Sequence, residues 1–286
     1  MDQRIIDLYD EYTHKPLPRR VFLERMAVLV GSAAAVPAVL AQIEPNYALA
    51  AVVAPDDARI TTETVSFQGA TGEVKGYLAR PKVVDKAPSV IVIHENRGLN
   101  PHIEDVTRRF ATEGFVALAP DLLSPLGGTP QDPDRAREMI GQLDAAKTVN
   151  DLNAAISYLM AYRYSSGKVG AVGFCWGGGM ANQLALKAPD LKAAVVYYGR
   201  SPDPELVTSA LKAPLLLHYA GLDQGVNSGV PAYETALKKA GAKYTLYMYE
   251  GANHAFNNDT SAERYNEAAA KLAWQRTVEF LKQNLV

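Results

Sequence analysis

The sequence predicts a doubly wound α/β domain, a mostly parallel sheet with helices on both faces, preceded by an N-terminal extension. Short and nearly continuously apolar runs recur through the chain, and strands apolar on both faces belong to a parallel sheet covered on each side. Segments with apolar residues at helical spacing separate them, in the alternation that crossover connections require. With 286 residues, 48% of them hydrophobic and 21% charged, the composition is that of an ordinary globular protein. The economical division is an extension over residues 1–54 and one α/β domain over 55–286.

The domain opens with two strands, 60–68 and 73–79, joined around the glycines at 69 and 72 as an antiparallel hairpin. The apolar runs 89–94, 115–119, 169–174, 193–198, 215–219 and 244–249 are the parallel strands. Helices are expected at 103–112, 145–162, 180–186, 230–239 and 262–285. The extension reads in two ways. Pro18-Arg19-Arg20-Val21-Phe22-Leu23, followed by an apolar stretch over 26–41 and by Ala48-Leu49-Ala50, resembles a twin-arginine export signal with a cleavage site. That would place the protein in the periplasm. Against this, the residues before the arginines are acidic, and Ile5, Leu8, Tyr9 and Tyr12 recur at helical spacing as a face needing a partner. On that reading the extension is a set of retained helices packed on the body or on a second copy, in a cytoplasmic protein. Gly31, Ser32 and Pro37 interrupt the apolar stretch too early for a membrane span.

The net charge of −2, with no long basic run, argues against nucleic acid as a main partner, since phosphate binding needs concentrated positive charge. The single cysteine, Cys175, excludes an intramolecular disulfide and a cysteine-rich zinc site. The histidines His14, His94, His102 and His218 are scattered without metal-site spacing, and neither a metal nor an organic cofactor is expected.

Chemistry concentrates in three places. Gly173-Phe174-Cys175-Trp176-Gly177 follows an apolar strand and precedes a helical pattern, the arrangement of a nucleophile elbow with cysteine in place of serine. Such a turn aims the thiol at the positive end of the next helix, which favours the thiolate. Asp223 stands just past the strand at 215–219, and His254 follows the strand at 244–249. Nucleophile, acid and histidine in this order, each on a loop after a successive strand, is the order of the α/β-hydrolase triad.

These blocks, together with His94-Glu95-Asn96-Arg97-Gly98-Leu99 and Ala119-Pro120-Asp121-Leu122, resemble the dienelactone hydrolase family, the carboxymethylenebutenolidases and their relatives. The likeness runs from about residue 60 to the C-terminus and leaves the extension outside. It implies an α/β-hydrolase fold, a Cys175–His254–Asp223 triad, and an oxyanion hole made by the backbone N–H groups of Asn96 and Trp176. It also implies a Glu95 carboxylate that accepts a hydrogen bond from the resting thiol. Family members acting on dienelactone hold its carboxylate with arginines, one of them a few residues after the histidine. Here that stretch reads Asn257-Asn258-Asp259-Thr260, with no arginine before Arg264. Arg97, Arg135, Arg137 and Arg200 are the available substitutes, and Tyr198, at the end of a strand, lines the pocket. The expected activity is hydrolysis of a small ester or lactone through a thioester. Two other readings use the same chain: a thiol redox protein acting through Cys175, which lacks a resolving cysteine, and a non-catalytic binding protein on the same fold. A homodimer through the Ile5, Leu8, Tyr9 and Tyr12 face is the partner the extension suggests.

Overall fold

The computed structural model describes residues 1–15, 17–47 and 51–286. Three helices, α1 (Gln3–His14), α2 (Arg19–Val30) and α3 (Val36–Ile43), form an N-terminal arm. The body follows: β1 (Ile60–Gln68), β2 (Glu73–Pro81), β3 (Ala87–Ile93), α4 (Pro101–Thr112), β4 (Val116–Pro120), α5 (Pro133–Ile140), α6 (Ala145–Ala161), β5 (Ser165–Phe174), α7 (Trp176–Lys187), β6 (Ala193–Tyr197), β7 (Leu215–Ala220), α8 (Gln224–Asn227), α9 (Val230–Ala240), β8 (Tyr244–Tyr249) and α10 (Glu267–Leu285).

The strands form one sheet in the order β1-β2-β4-β3-β5-β6-β7-β8. The expected hairpin is present, with β1 antiparallel to β2 and β2 antiparallel to β4, and every other pairing is parallel. Alternate residues of β3 serve opposite layers. Ile91 and Ile93 pack with α6 and α7 through Leu152, Ile156 and Leu184, whereas Val90 and Val92 pack with α4 and α10 through Phe110 and Leu281. This two-sided burial is why the strands read as continuous apolar runs. The chain leaves β3 toward β4 on one side and returns to β5 on the other. The strand order therefore reverses beside β3, and a crevice opens at the carboxyl ends there.

Three elements differ from the sequence expectation. Helix α7 begins at Trp176 rather than near 180, because close packing at Gly177 and Gly178 outweighs their poor helix propensity. Helix α10 begins at Glu267, after a run of turns. Helix α5 was not expected; its signal is Asp132, whose carboxylate caps the N–H groups of Asp134 and Arg135, followed by Pro133 in the first turn.

The arm, which the sequence reads either as export signal or as packed helices, is folded on the body in this structure. The residues 48–50 of the cleavage motif lie outside the described residues. Ile5, Leu8, Tyr9 and Tyr12 are all buried, and their partners are Phe22, Met26, Val36 and Ile43 of the same chain. The apolar face that suggested a dimer contact is thus covered from within. Arg19 pairs with Asp134 of α5 and Arg20 with Glu24. No single helix among the described residues is long and apolar enough to cross a membrane. Polar links hold the arm on the body: Gln3 Nε2 donates to Asn253 Oδ1 (2.6 Å), Tyr12 Oη to Asp134 Oδ2 (2.9 Å), and Asn96 Nδ2 to the Thr13 carbonyl (2.8 Å). Arg264 pairs with Asp10 and lies over the Tyr9 ring.

Phe22 stacks on Tyr12 at 4.2 Å and is fully buried, so Phe22→Ala removes the centre of the arm's cluster at a cost of about 3 kcal/mol. Hydrogen exchange should speed up in α1 and α2 while the sheet stays protected. Unchanged exchange in the arm would mean that this cluster does not hold it.

Candidate active site

The site is built around a turn that only certain residues permit. Cys175 sits between β5 and α7 with φ 54° and ψ −116°, outside the regions comfortable for a residue with a Cβ. The turn brings backbones so close that a Cβ on Gly173 would lie 2.0 Å from the Gly177 carbonyl oxygen. One on Gly177 would lie 2.4 Å from the carbonyl oxygens of Ile93 and His94. The glycines two residues either side of Cys175 are thus a steric requirement. The turn is anchored by the Cys175 N–H donating to the Tyr197 carbonyl. Trp176 is the first residue of α7, so its N–H is among the amide donors a helix leaves without an intrahelical acceptor. Its ring stacks on His94, whose Nδ1 donates to the Glu95 carbonyl (2.7 Å); this fixes the loop carrying Glu95 and Asn96 beside the elbow.

Asp223 and His254 meet as the sequence expects. Asp223 caps the short α8 by accepting from the Val226 N–H, and its other oxygen accepts from His254 Nδ1 at 2.5 Å. That bond turns the Nε2 edge of His254 toward the cavity, and Nε2 is buried with no hydrogen-bond partner among the described residues. Burial disfavours a charged His254, but the carboxylate of Asp223 and the sulfur of Cys175 reverse this and hold its pKa well above the ordinary imidazole value. Asp223 would likewise rise on burial, yet His254 draws it below the usual carboxylate range. Backbone strain recurs at this edge: Tyr198 and Ala255, which flank the histidine in space and in sequence, also have positive φ, 39° and 63°.

The thiol's own hydrogen-bond partner was not anticipated. His14, at the end of α1, places Nε2 3.1 Å from Cys175 Sγ, and its ring meets that of His254 edge-on at 4.3 Å. Burial pushes the Cys175 thiol up, but the imidazoles of His14 and His254 outweigh it and bring it down to about 6. Glu95 is nearby but bound elsewhere. Asn258 Nδ2 donates to its Oε2 (2.9 Å), and its Oε1 is buried without a hydrogen-bond partner among the described residues. The expected thiol–Glu95 hydrogen bond is therefore absent among the described residues, because Asn258 anchors the carboxylate and His14 occupies the sulfur.

A cavity of about 790 Å³ opens beside the sulfur, walled by Tyr12, Thr13 and His14 of the arm, Arg137 of α5, Trp176 and Tyr198. Of the residues proposed to line it, Tyr198 does so with its hydroxyl buried and without a hydrogen-bond partner among the described residues, and Arg200 reaches it from an exposed position. Arg97 instead borders a smaller cavity beside Cys175, and its guanidinium is held by Asp134 (2.9 Å). Arg264 borders that smaller cavity too, fully buried. His14, Cys175 and His254 present ligand atoms within 4.8 Å of one another, so among the described residues this is the group that could hold a metal ion. Sequence reasoning passed over His14 as one scattered histidine. The available signal was its place at the end of an apolar helical face that demanded a partner.

A family model for the dienelactone hydrolase family matches residues 74–285, leaving α1 to α3 outside. A candidate carboxymethylenebutenolidase of Saccharolobus solfataricus is 34% identical over 246 residues, covering 74% of this chain and 94% of that protein. A counterpart from Escherichia coli strain K12 is 34% identical over 247 residues, covering 81% and 90%. The crystal structure of a candidate dienelactone hydrolase from Klebsiella pneumoniae superposes with a TM-score of 0.71 at 31% identity, over 78% of this chain and 99% of that one.

A thiol drawn down to about 6 gives a clear expectation for alkylation. The rate of Cys175 modification by iodoacetamide, which follows the thiolate, should climb as pH rises through about 6 and be nearly flat by neutrality. A rise centred on the ordinary thiol value of about 8.5 would contradict the electrostatic picture.

Proposed function

The chain belongs to the dienelactone hydrolase family, and we propose that within it this protein hydrolyses small esters or lactones by way of a Cys175 thioester. The observation that carries the reading is the convergence of a strained cysteine elbow and an Asp223-held His254, from three separate loops, on one cavity. The Cys175 thiolate attacks the acyl carbon. The backbone N–H groups of Asn96 and Trp176 face the developing oxyanion, a contribution of about 3 kcal/mol per donor. Asp223 fixes the His254 tautomer with Nε2 toward the cavity, so that this imidazole takes the proton of the water that cleaves the thioester. Glu95 is held by Asn258 beside the site and is not the thiol's hydrogen-bond partner. A thiol nucleophile suits activated acyl groups such as enol esters and lactones, whose leaving groups depart readily.

Arg200 and the Tyr198 hydroxyl are among the polar groups offered to a substrate in the large cavity. Arg97 serves the wall, through Asp134, rather than the substrate. The arm is taken as part of the working enzyme, because its residues line the cavity and touch the nucleophile.

Turnover of p-nitrophenyl acetate tests the assignment. Cys175→Ala should lower kcat by about 10³-fold or more with the fold intact, and His254→Gln by a similar factor. Asp223→Asn should cost less than either, since triad members act as a unit around the nucleophile. Substantial turnover by Cys175→Ala, or equal and mild losses in the other two, would overturn the triad.

A further inference from the structure

We propose that His14, carried by the N-terminal arm, is the base that ionises Cys175, so that the site divides its proton transfers between two histidines. The inference rests on the thioester reading above and adds a residue outside the family match. Its geometry is specific. His14 Nδ1 faces the Asp10 carbonyl oxygen at 2.7 Å, and a carbonyl oxygen only accepts, so the ring proton sits on Nδ1. Nε2 is then a lone pair, and it points at Cys175 Sγ from 3.1 Å. His254 is built the same way, with Nδ1 donating to Asp223, but its Nε2 is buried with no hydrogen-bond partner among the described residues. The sulfur raises the pKa of His254, so acylation, which removes the thiolate charge, frees this second imidazole to take a proton from water. The spacing also speaks for a shared proton. A tetrahedral zinc ion would hold a nitrogen and a sulfur ligand about 3.6 Å apart, by its usual bond lengths and angle.

The steps balance as follows. The thiol proton passes from Sγ to His14 Nε2. The thiolate forms the S–C bond to the acyl carbon, and as the C–O bond breaks the departing oxygen takes that proton from His14. Water then adds to the thioester carbon, giving its proton to His254 Nε2. The C–S bond breaks, the acid leaves, and the sulfur recovers a proton from His254. The ester and one water become one acid and one alcohol, and each histidine gives up the proton it took.

The arm is fastened where this requires. Asn96 Nδ2 holds the Thr13 carbonyl, one residue before His14, to the loop that supplies an oxyanion donor. Arg137 Nη1 donates to the Tyr12 carbonyl at 2.7 Å, from α5 across the cavity mouth. A side chain that merely covered the thiol would need neither the tautomer-fixing bond nor this anchoring to the reacting loop.

The test uses the full chain with His14→Gln and His14→Gly, and its two possible readings have opposite signs. If His14 is only a cover, its loss exposes the sulfur, and iodoacetamide at pH 7 reacts faster. If it is the base, alkylation slows by about tenfold, the effect at this pH of moving the thiol's pKa from about 6 up by about two units. Thiolate absorption in the near ultraviolet should fall in parallel. Added imidazole should restore both in His14→Gly, where the side chain leaves a space of its own shape. In rapid-quench experiments with p-nitrophenyl acetate, His14→Gln should slow acylation and spare hydrolysis of the acyl-enzyme, whereas His254→Gln should acylate and then stall. Unchanged or faster alkylation in His14→Gln, with no imidazole rescue in His14→Gly, would overturn the assignment and leave the Cys175–His254–Asp223 reading standing. Full turnover by Cys175→Ala would remove that reading and this one together.

Discussion

Everything at this site depends on the backbone of Cys175 being held in a conformation that an ordinary side chain avoids. The positive φ aims the sulfur out of the sheet edge while its own N–H stays tied to Tyr197. That geometry is possible only because Gly173 and Gly177 let β5, α7 and the loop after β3 approach to distances no Cβ would permit. Strain of this kind costs on the order of 1–3 kcal/mol, and it persists because the parallel sheet on both sides overdetermines the position. The same crowding brings the Glu95–Asn96 loop to the sulfur, so Cys175 and that loop are placed by a single steric constraint.

Electrostatics then act on a fixed target. A buried thiol would ordinarily resist ionisation, and two imidazoles reverse that preference. The first is set by Asp223, on a loop of the body. The second comes from the arm, whose own apolar cluster and polar ties to Asp134, Asn253 and Asn96 make it a wall of the cavity rather than an appendage. Stability and reactivity are therefore coupled: whatever loosens α1 changes the surroundings of the sulfur as well as the shape of the pocket.

Much of this was legible in the sequence, and the rest was hidden for physical reasons. The parallel strands announced themselves because both faces are buried, as the split of Val90 and Val92 from Ile91 and Ile93 shows. Cys175, Asp223 and His254 were legible because each follows an apolar strand, and strand ends in such a sheet share an edge. The start of α7 was obscured because it carries three glycines, two of which, Gly177 and Gly178, serve close packing rather than helix propensity. The link between His14 and Cys175 spans 161 residues and depends on how an arm docks, which periodicity cannot report. The arm itself stayed ambiguous because a short helix of small apolar residues after two arginines has the same composition whether it is threaded through a translocase or packed on a domain. The role of Glu95 changed for a local reason: Asn258, in the very stretch where an arginine was sought, claims its carboxylate.

The central claim is that the acyl group passes through sulfur. Rapid acid quenching during turnover of p-nitrophenyl acetate, followed by peptide mass spectrometry, measures this directly. The account expects one acetyl group on the peptide containing Cys175, released by hydroxylamine at neutral pH as a thioester is, and absent from Cys175→Ala. An acetyl group found on a serine, lysine or histidine that turns over at the rate of catalysis, with Cys175 unmodified, would contradict it.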